Sequence, residues 1–191
     1  VVILFARAPR LGTVKRRLAC DIGGMAALGF YRNILSRTIR ELHRLRGCEL
    51  VLAITPDRAL ARHPPHWRAI GQGQGDLGAR MRNAFKKFPD RRVVLVGADI
   101  PDLQAADIKT ALRALKHCDA VFGPAADGGY YLVGMGARRP AKPFANVRWS
   151  SPHALADTVT NFRGLRVQHI LELHDVDTAA DLLQMLHQTR H

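Results

Sequence analysis

Three strand-length segments, residues 1–6, 49–54 and 92–98, are apolar almost throughout, and longer stretches with helical spacing stand between them. A strand that is apolar on both faces needs cover on both faces, as the strands of a parallel sheet have. The first intervening stretch places Met25, Leu28, Tyr31, Ile34, Leu35, Thr38, Leu42 and Leu45 at spacings of three and four, with Arg and Glu between them, which is the pattern of an amphipathic helix. Residues 77–88 and 105–116 repeat it. Strand and helix in alternation predict a parallel sheet with right-handed crossovers and helices on both faces. Two adjacent strands over 119–124 and 129–135, flanking the loop Ala125-Ala126-Asp127-Gly128, predict that the sheet becomes mixed further on.

Between these elements, residues 63–67 read as a turn-rich connector, 71–76 as a flexible Gly-rich loop, and 138–147 as an irregular, basic, Pro-rich stretch. Ser150-Ser151-Pro152 reads as the cap of a helix reaching about Phe162, with Pro at a permitted first-turn position. A last short strand is expected over 165–171 and a final helix from Ala179. With no internal repeat and no linker, the expectation is one domain over residues 1–191, of three-layer α/β/α architecture around a mixed, mostly parallel sheet.

Twenty-nine Lys and Arg face 16 Asp and Glu, a formal net charge of +13. Such a surface attracts nucleotides, phosphorylated or acidic acceptors, nucleic acid or an anionic membrane face, or it simply solvates the fold. The sequence carries no helix-turn-helix, zinc-finger or RNA-binding sheet motif, so no specific nucleic-acid partner is expected. Cys20, Cys48 and Cys118 form no Cys-x-x-Cys, which argues against a zinc ribbon or redox pair and for buried free thiols in a reducing compartment. No apolar run reaches the roughly 18 residues of a spanning helix. The sequence opens on a strand rather than a charged leader, and the expected location is cytoplasmic.

The chemistry-bearing motifs lie at the ends of the strands. Residues 93–96 run into Gly97-Ala98-Asp99-Ile100-Pro101-Asp102, so Asp99 stands at the carboxyl end of a buried strand, where open α/β sheets bind ligands. A carboxylate there is a hard oxygen ligand for Mg²⁺ or Mn²⁺, or it closes a turn, a role that suits Asp102 better. Asp175 and Asp177, near the other end of the sequence, supply a second carboxylate for such a cation, while Asp177 also reads as the N-cap of the last helix.

The loop after the first strand, from Arg7 through Pro9, Arg10 and Gly12 to Lys15, enters a helix with basic side chains and backbone N–H groups converging. That is a phosphate-binding arrangement, or else a solvated basic loop. It is neither a Walker loop nor a Gly-x-Gly-x-x-Gly fingerprint. In Gly75-Asp76-Leu77-Gly78-Ala79-Arg80-Met81, Asp76 reads as a helix N-cap, and the glycines admit the close approach of a nucleobase or ribose. Asp127-Gly128-Gly129-Tyr130-Tyr131 reads as a tight turn between strands or as the wall of an acceptor pocket. Phe144, Trp149 and Ser150 would supply a lid or acceptor loop beside it.

Taken in order, these stretches resemble a bacterial family of GT-A-type glycosyltransferase-like proteins that carries the label of a domain of unknown function. Some of its members are described as radical-SAM/selenobiotic-associated transferases. The resemblance rests on Phe5-Ala6-Arg7-Ala8-Pro9, Gly12-x-Val14-Lys15-x-Arg17-Leu18, Gly75 to Met81, and Gly97 to Pro101. Gly123 to Leu132, Val147-x-Trp149-Ser150 and Asp175-Val176-Asp177-Thr178 complete it. It implies the nucleotide-diphospho-sugar transferase fold, shared with nucleotidyltransferases such as molybdenum-cofactor guanylyltransferase and phospholactate guanylyltransferase.

By that resemblance Arg7, Lys15 and Arg17 hold the nucleotide's phosphates, and Ala6, Pro9, Gly12, Ala98 and Asp99 belong to the same nucleotide-binding set. Gly75, Asp76, Leu77, Gly78 and Arg80 meet its base, and Asp99 and Asp177 hold Mg²⁺ or Mn²⁺. Asp127, Gly128, Gly129, Tyr130, Trp149 and Ser150 face an unidentified acceptor, and Asp99, Lys15 and Asp127 are the candidate catalytic groups. Arg16 stands where the family commonly has Thr and adds a positive charge. The family label favours glycosyl transfer from a nucleotide-sugar. The residues themselves fit nucleotidyl transfer, or nucleotide binding without catalysis, equally well.

Overall fold

A computed structural model describes residues 1–59 and 63–188. Strands β1 (Val2–Arg7), β2 (Leu50–Thr55), β3 (Arg68–Gly71), β4 (Val93–Gly97), β5 (Ala120–Pro124), β6 (Tyr130–Met135) and β7 (Val167–His169) form one sheet in the order β3-β2-β1-β4-β6-β5-β7. β6 runs antiparallel to both its neighbours, and every other pairing is parallel. Helices α1 (Arg16–Ile22), α2 (Gly24–His43), α3 (Leu77–Lys86), α4 (Ala105–Ala114), α5 (Ala154–Thr160) and α6 (Ala179–Gln188) complete the described elements, with a 3₁₀ turn over Asp57–Ala59.

The three layers follow from the two-residue period of a strand. Val2, Leu4, Leu52, Ile54, Val94 and Val96 point to one face and pack with Leu42 at the end of α2 and with Ala105, Ile108 and Ala111 of α4. Ile3, Val51, Ala53, Val93 and Leu95 point to the other and pack with Met81, Ala84 and Phe85 of α3 and with Phe162 after α5. The expected mixed, mostly parallel α/β fold is the observed one. Among the described residues no helix is long and apolar enough to cross a membrane.

Several local expectations are corrected. The helix expected after Lys15 is present but is a separate seven-residue α1 that ends at Gly23 before α2 begins, and with Leu18 its one buried residue the break carries no readable period. β3 falls in a stretch expected to connect two loops, because four residues carry no readable alternation. Ser150-Ser151-Pro152 does not cap α5, whose N-cap position is His153; Ser151 Oγ instead donates to the Arg148 carbonyl. The strand expected over 165–171 shortens to three residues. Asp102 lies in a turn, as expected, while the start of α4 is closed by Gln104 and Asp107, which accepts the Gln104 N–H. Cys20 is exposed, and Cys48 and Cys118 are half-buried, so the free thiols are less buried than expected.

Candidate functional site

From β1 the chain crosses to β2 on one side and β4 lies on the other, so a crevice opens at the carboxyl ends of β1 and β4. There the structure has a cleft of about 870 Å³.

Arg7 ends β1, and its backbone is clamped by a single buried side chain. Tyr31 of α2 accepts from the Arg7 N–H at 3.1 Å and donates to the Arg7 carbonyl at 3.0 Å. Burial pushes the Tyr31 hydroxyl up to about 12. The following loop ends at Lys15, which precedes α1 in a left-handed conformation with φ 44°. The Lys15 side chain is 4% exposed, with Nζ 2.8 Å from Asp177 and 3.6 Å from Asp99, whose side chains are 41% and 47% exposed. Burial works against the ammonium, but Asp99 and Asp177 together outweigh it and raise its pKa. Asp177 is therefore a partner of Lys15 and not the cap of α6; Thr178 and Asp181 hold that turn, with Asp181 accepting from Thr178 N at 2.7 Å.

Asp175 lines the same cleft. Burial, then the charges of Asp177, Asp127 and Asp99, push its carboxyl up to about 6 against the opposing pull of Lys15. This corner carries more negative charge than one ammonium balances. Among the described residues no three His, Cys, Asp or Glu side chains converge closely enough to coordinate one ion by themselves. Two carboxylates with an excess of local negative charge do suit a hard cation that takes its remaining ligands from phosphate and water.

Arg7, Arg16, Arg17 and Arg80 line the same cleft. Asp76 caps α3 as expected, accepting from Ala79 N at 2.7 Å. Its carbonyl accepts from Arg80 Nε at 3.3 Å, and Arg80 Nη1 donates to Gln72 Oε1 at 3.2 Å. Gln72 escapes a sequence reading because a polar residue between two glycines looks like loop, yet it is 1% exposed. A Gln one residue beyond a short apolar run, Ala69-Ile70, was the available signal.

The third wall comes from the β5–β6 turn and the segment before α5. Asp127 accepts from Gly129 N at 2.8 Å, so the tight-turn reading of this motif describes the backbone. Gly128 has φ 83°, and a Cβ there would collide with the backbone of Pro152, which fixes this turn against residues 150–152. Trp149 stands over Tyr130 at 6.4 Å and Phe144 at 6.5 Å between ring centroids. It also approaches α3 so closely that a Cβ on Gly78 would lie 2.9 Å from its ring. Burial raises the Tyr130 hydroxyl well above its ordinary value.

Of the residues singled out from sequence, Ala6, Arg7, Lys15, Arg17, Leu77, Arg80, Ala98, Asp99, Asp127, Gly129, Tyr130, Trp149, Ser150 and Asp177 line this one cleft. Pro9, Gly12, Gly75, Asp76, Gly78 and Gly128 do not reach its surface. Gly78 and Gly128 instead allow the close packing that shapes it.

A mixed sheet with this strand order and a cleft at its switch point is the α/β architecture of nucleotidyltransferase and GT-A-like proteins. Residues 38–151 match the family model described as "Uncharacterized protein conserved in bacteria (DUF2064)", and the chain belongs to that family. A Desulfovibrio desulfuricans protein, provisionally assigned as a nucleotide-diphospho-sugar transferase, is 34% identical with a TM-score of 0.88, covering 96% of this chain and 84% of that one. A 2-phospho-L-lactate guanylyltransferase of Methanocaldococcus jannaschii is 24% identical over 125 residues, 64% of this chain. The chain spans about half the length of that curated relative, with the match covering 54% of it. A nucleotidyl transferase from Methanothermobacter shares the fold at 15% identity and TM-score 0.62, covering 99% of this chain and 98% of that one. So does a Mycobacterium tuberculosis protein solved with manganese, at 16% identity and TM-score 0.59, covering 97% of each chain.

Proposed function

We propose that this protein is a divalent-metal-dependent nucleotidyltransferase, joining the nucleotidyl group of an NTP to the phosphate of an acceptor with release of pyrophosphate. The observation that carries this reading is one cleft lined both by arginines and by carboxylates, with Lys15 paired to Asp99 and Asp177. The guanylyltransferase relative supports transfer of this type. Asp99 and Asp177 would hold Mg²⁺ or Mn²⁺, which when bound neutralises phosphate charge; the manganese complex of a protein with the same fold supports that choice of metal.

Arg7 and Arg17 bind the triphosphate, and Lys15 exchanges its carboxylate partners for a phosphate oxygen. An oxygen of the acceptor phosphate attacks the α-phosphorus, the bond to the bridging oxygen breaks, and the electron pair leaves with pyrophosphate. The guanidinium and ammonium groups face the charge that builds up on those oxygens. Asp127 and the Tyr130–Trp149 wall orient the acceptor.

Thermal melting with NTPs, NDPs and nucleotide-sugars, in Mg²⁺, Mn²⁺ or EDTA, tests the proposal, because a ligand that binds the native state raises Tm. The expected outcome is an NTP-induced shift that needs metal, with turnover falling ~100-fold or more in Asp99→Asn. A preference for nucleotide-sugars would favour glycosyl transfer, the reading the Desulfovibrio relative suggests. Nucleotide binding that survives Asp99→Asn without any turnover in the wild type would leave a binding protein. No shift with any of these ligands would sink the proposal.

A further inference from the structure

We propose that Arg7 and Arg80 together form a seat for one phosphate group, and that Gln72 is the residue that positions Arg80 in it. The seat rests on the nucleotide reading above and moves Arg80 from the base, where the family resemblance put it, to a phosphate.

The geometry begins with the Gln72 amide. Nε2 donates to the carbonyls of Ala6 and Ala53, both at 2.9 Å. One side chain thereby ties the ends of β1 and β2 and uses both its N–H groups. Turning the amide over would set its oxygen against two carbonyl oxygens, so its orientation is fixed. Oε1 is left facing the cleft, where it accepts from Arg80 Nη1. With Nε held by the Asp76 carbonyl, the guanidinium is fixed at two nitrogens. Nη2 has no hydrogen-bond partner among the described residues, so that edge of the fork is free.

Arg7 follows Ala6, the residue Gln72 grips, and Tyr31 holds its backbone. The Arg7 side chain lines the same cleft as Arg80. Among the described residues neither guanidinium forms an ion pair, whereas Arg44, Arg68, Arg91, Arg148 and Arg166 all do. Burial first, and then the charge of Arg7, lower the Arg80 pKa against the opposing pull of Asp76, as expected of two cations held near each other. Two guanidiniums sharing a cleft, one of them orientationally fixed with N–H groups to spare, match the charge and geometry of a phosphate.

The phosphate has two sources, the donor's triphosphate tail or the acceptor. Binding is measured in Mg²⁺ for inorganic pyrophosphate, inorganic phosphate, NTPs and the unphosphorylated nucleosides, with wild type, Arg80→Gln, Arg80→Lys, Gln72→Met and the Gln72→Met/Arg80→Gln double variant. Arg80→Gln is expected to weaken pyrophosphate and NTP ~10-fold or more and leave nucleosides unchanged, with Arg80→Lys restoring only part because it lacks the fork. If NTP affinity is unchanged but inorganic phosphate no longer binds beside saturating NTP, the seat stands and belongs to the acceptor. If wild type binds pyrophosphate but no NTP, the nucleotidyl reading fails and the seat survives.

Equal losses for nucleosides and NTPs would put Arg80 on the base or ribose and overturn the seat, as would no loss for any phosphate or no phosphate binding by wild type. For Gln72, the expected result is that Gln72→Met costs little once Arg80 is already Gln. An undiminished cost in that background would overturn its positioning role, and the Arg80 variants keep the seat testable if Gln72→Met fails to fold.

Discussion

Lys15 and Asp175 set the electrostatics of the cleft between them. Asp175 has an ordinary pKa of 3.8 and is pushed up to about 6, by burial first and by Asp177, Asp127 and Asp99 after it. The native state therefore takes up this proton more readily than the unfolded chain does, and the ionised carboxylate costs stability. That cost is absent below about pH 4, grows as pH rises toward 6 and is complete above it. Asp175→Asn is expected to raise Tm at pH 8 in EDTA, by ~1 kcal/mol or about 2–4 °C once partial exposure is discounted. The gain should vanish near pH 4; melting curves at the two pH values check it, and a constant gain would mean that packing rather than charge is responsible. Much of this corner is legible in sequence, since Asp99 ends an apolar run and Asp175-x-Asp177 stands alone. That Asp177 pairs with Lys15 across 162 positions is not legible, because no local pattern encodes so distant a contact.

At the scale of elements, the cleft's far wall depends on how the segment before α5 is pinned. Arg148 makes a two-pronged bond to Asp157 of α5, at 2.9 Å from both Nε and Nη2. Arg139 donates to the carbonyls of Gly136, Phe85, Phe88 and Arg91, tying this segment to the end of α3. Trp149 then settles on Gly78, where a methyl group would lie 2.9 Å from the indole, 3.0 Å from Phe144 Cβ and 3.1 Å from the Phe144 carbonyl. Gly78→Ala is expected to cost ~1–3 kcal/mol by overpacking and to weaken ligand binding further by displacing Trp149. Urea unfolding measures the first effect and ligand-induced Tm shifts the second; a neutral substitution would show that the wall moves freely. Long elements are legible because α2 repeats its apolar face over five turns' worth of residues, whereas α1 buries only Leu18 and β3 has four residues. A basic, Pro-rich stretch such as 138–147 reads as irregular, and nothing local reveals that one of its arginines satisfies four carbonyls.

For the whole molecule, the net charge of +13 and the cleft make separable demands. Arginines spread over the surface act together on any polyanion, and each phosphate they neutralise releases counterions. A nucleotide in the cleft meets only the few cations that line it, among them Arg7, Arg16, Arg17 and Arg80. Duplex DNA is therefore expected to bind at low salt without sequence preference, with an affinity that drops ~10³-fold or more between 50 and 200 mM salt if six or more phosphates are contacted. NTP binding should fall far less over the same range, because few ions are displaced and the site is partly shielded. Filter binding for DNA and calorimetry for NTP, each across a salt series, compare the two slopes. A shallow slope for NTP and a steep one for DNA would make the surface charge a general attractor and the cleft the specific site. DNA binding that resists salt would instead show a specific nucleic-acid surface on this protein, for which neither the sequence motifs nor the strand-end cleft prepares a place.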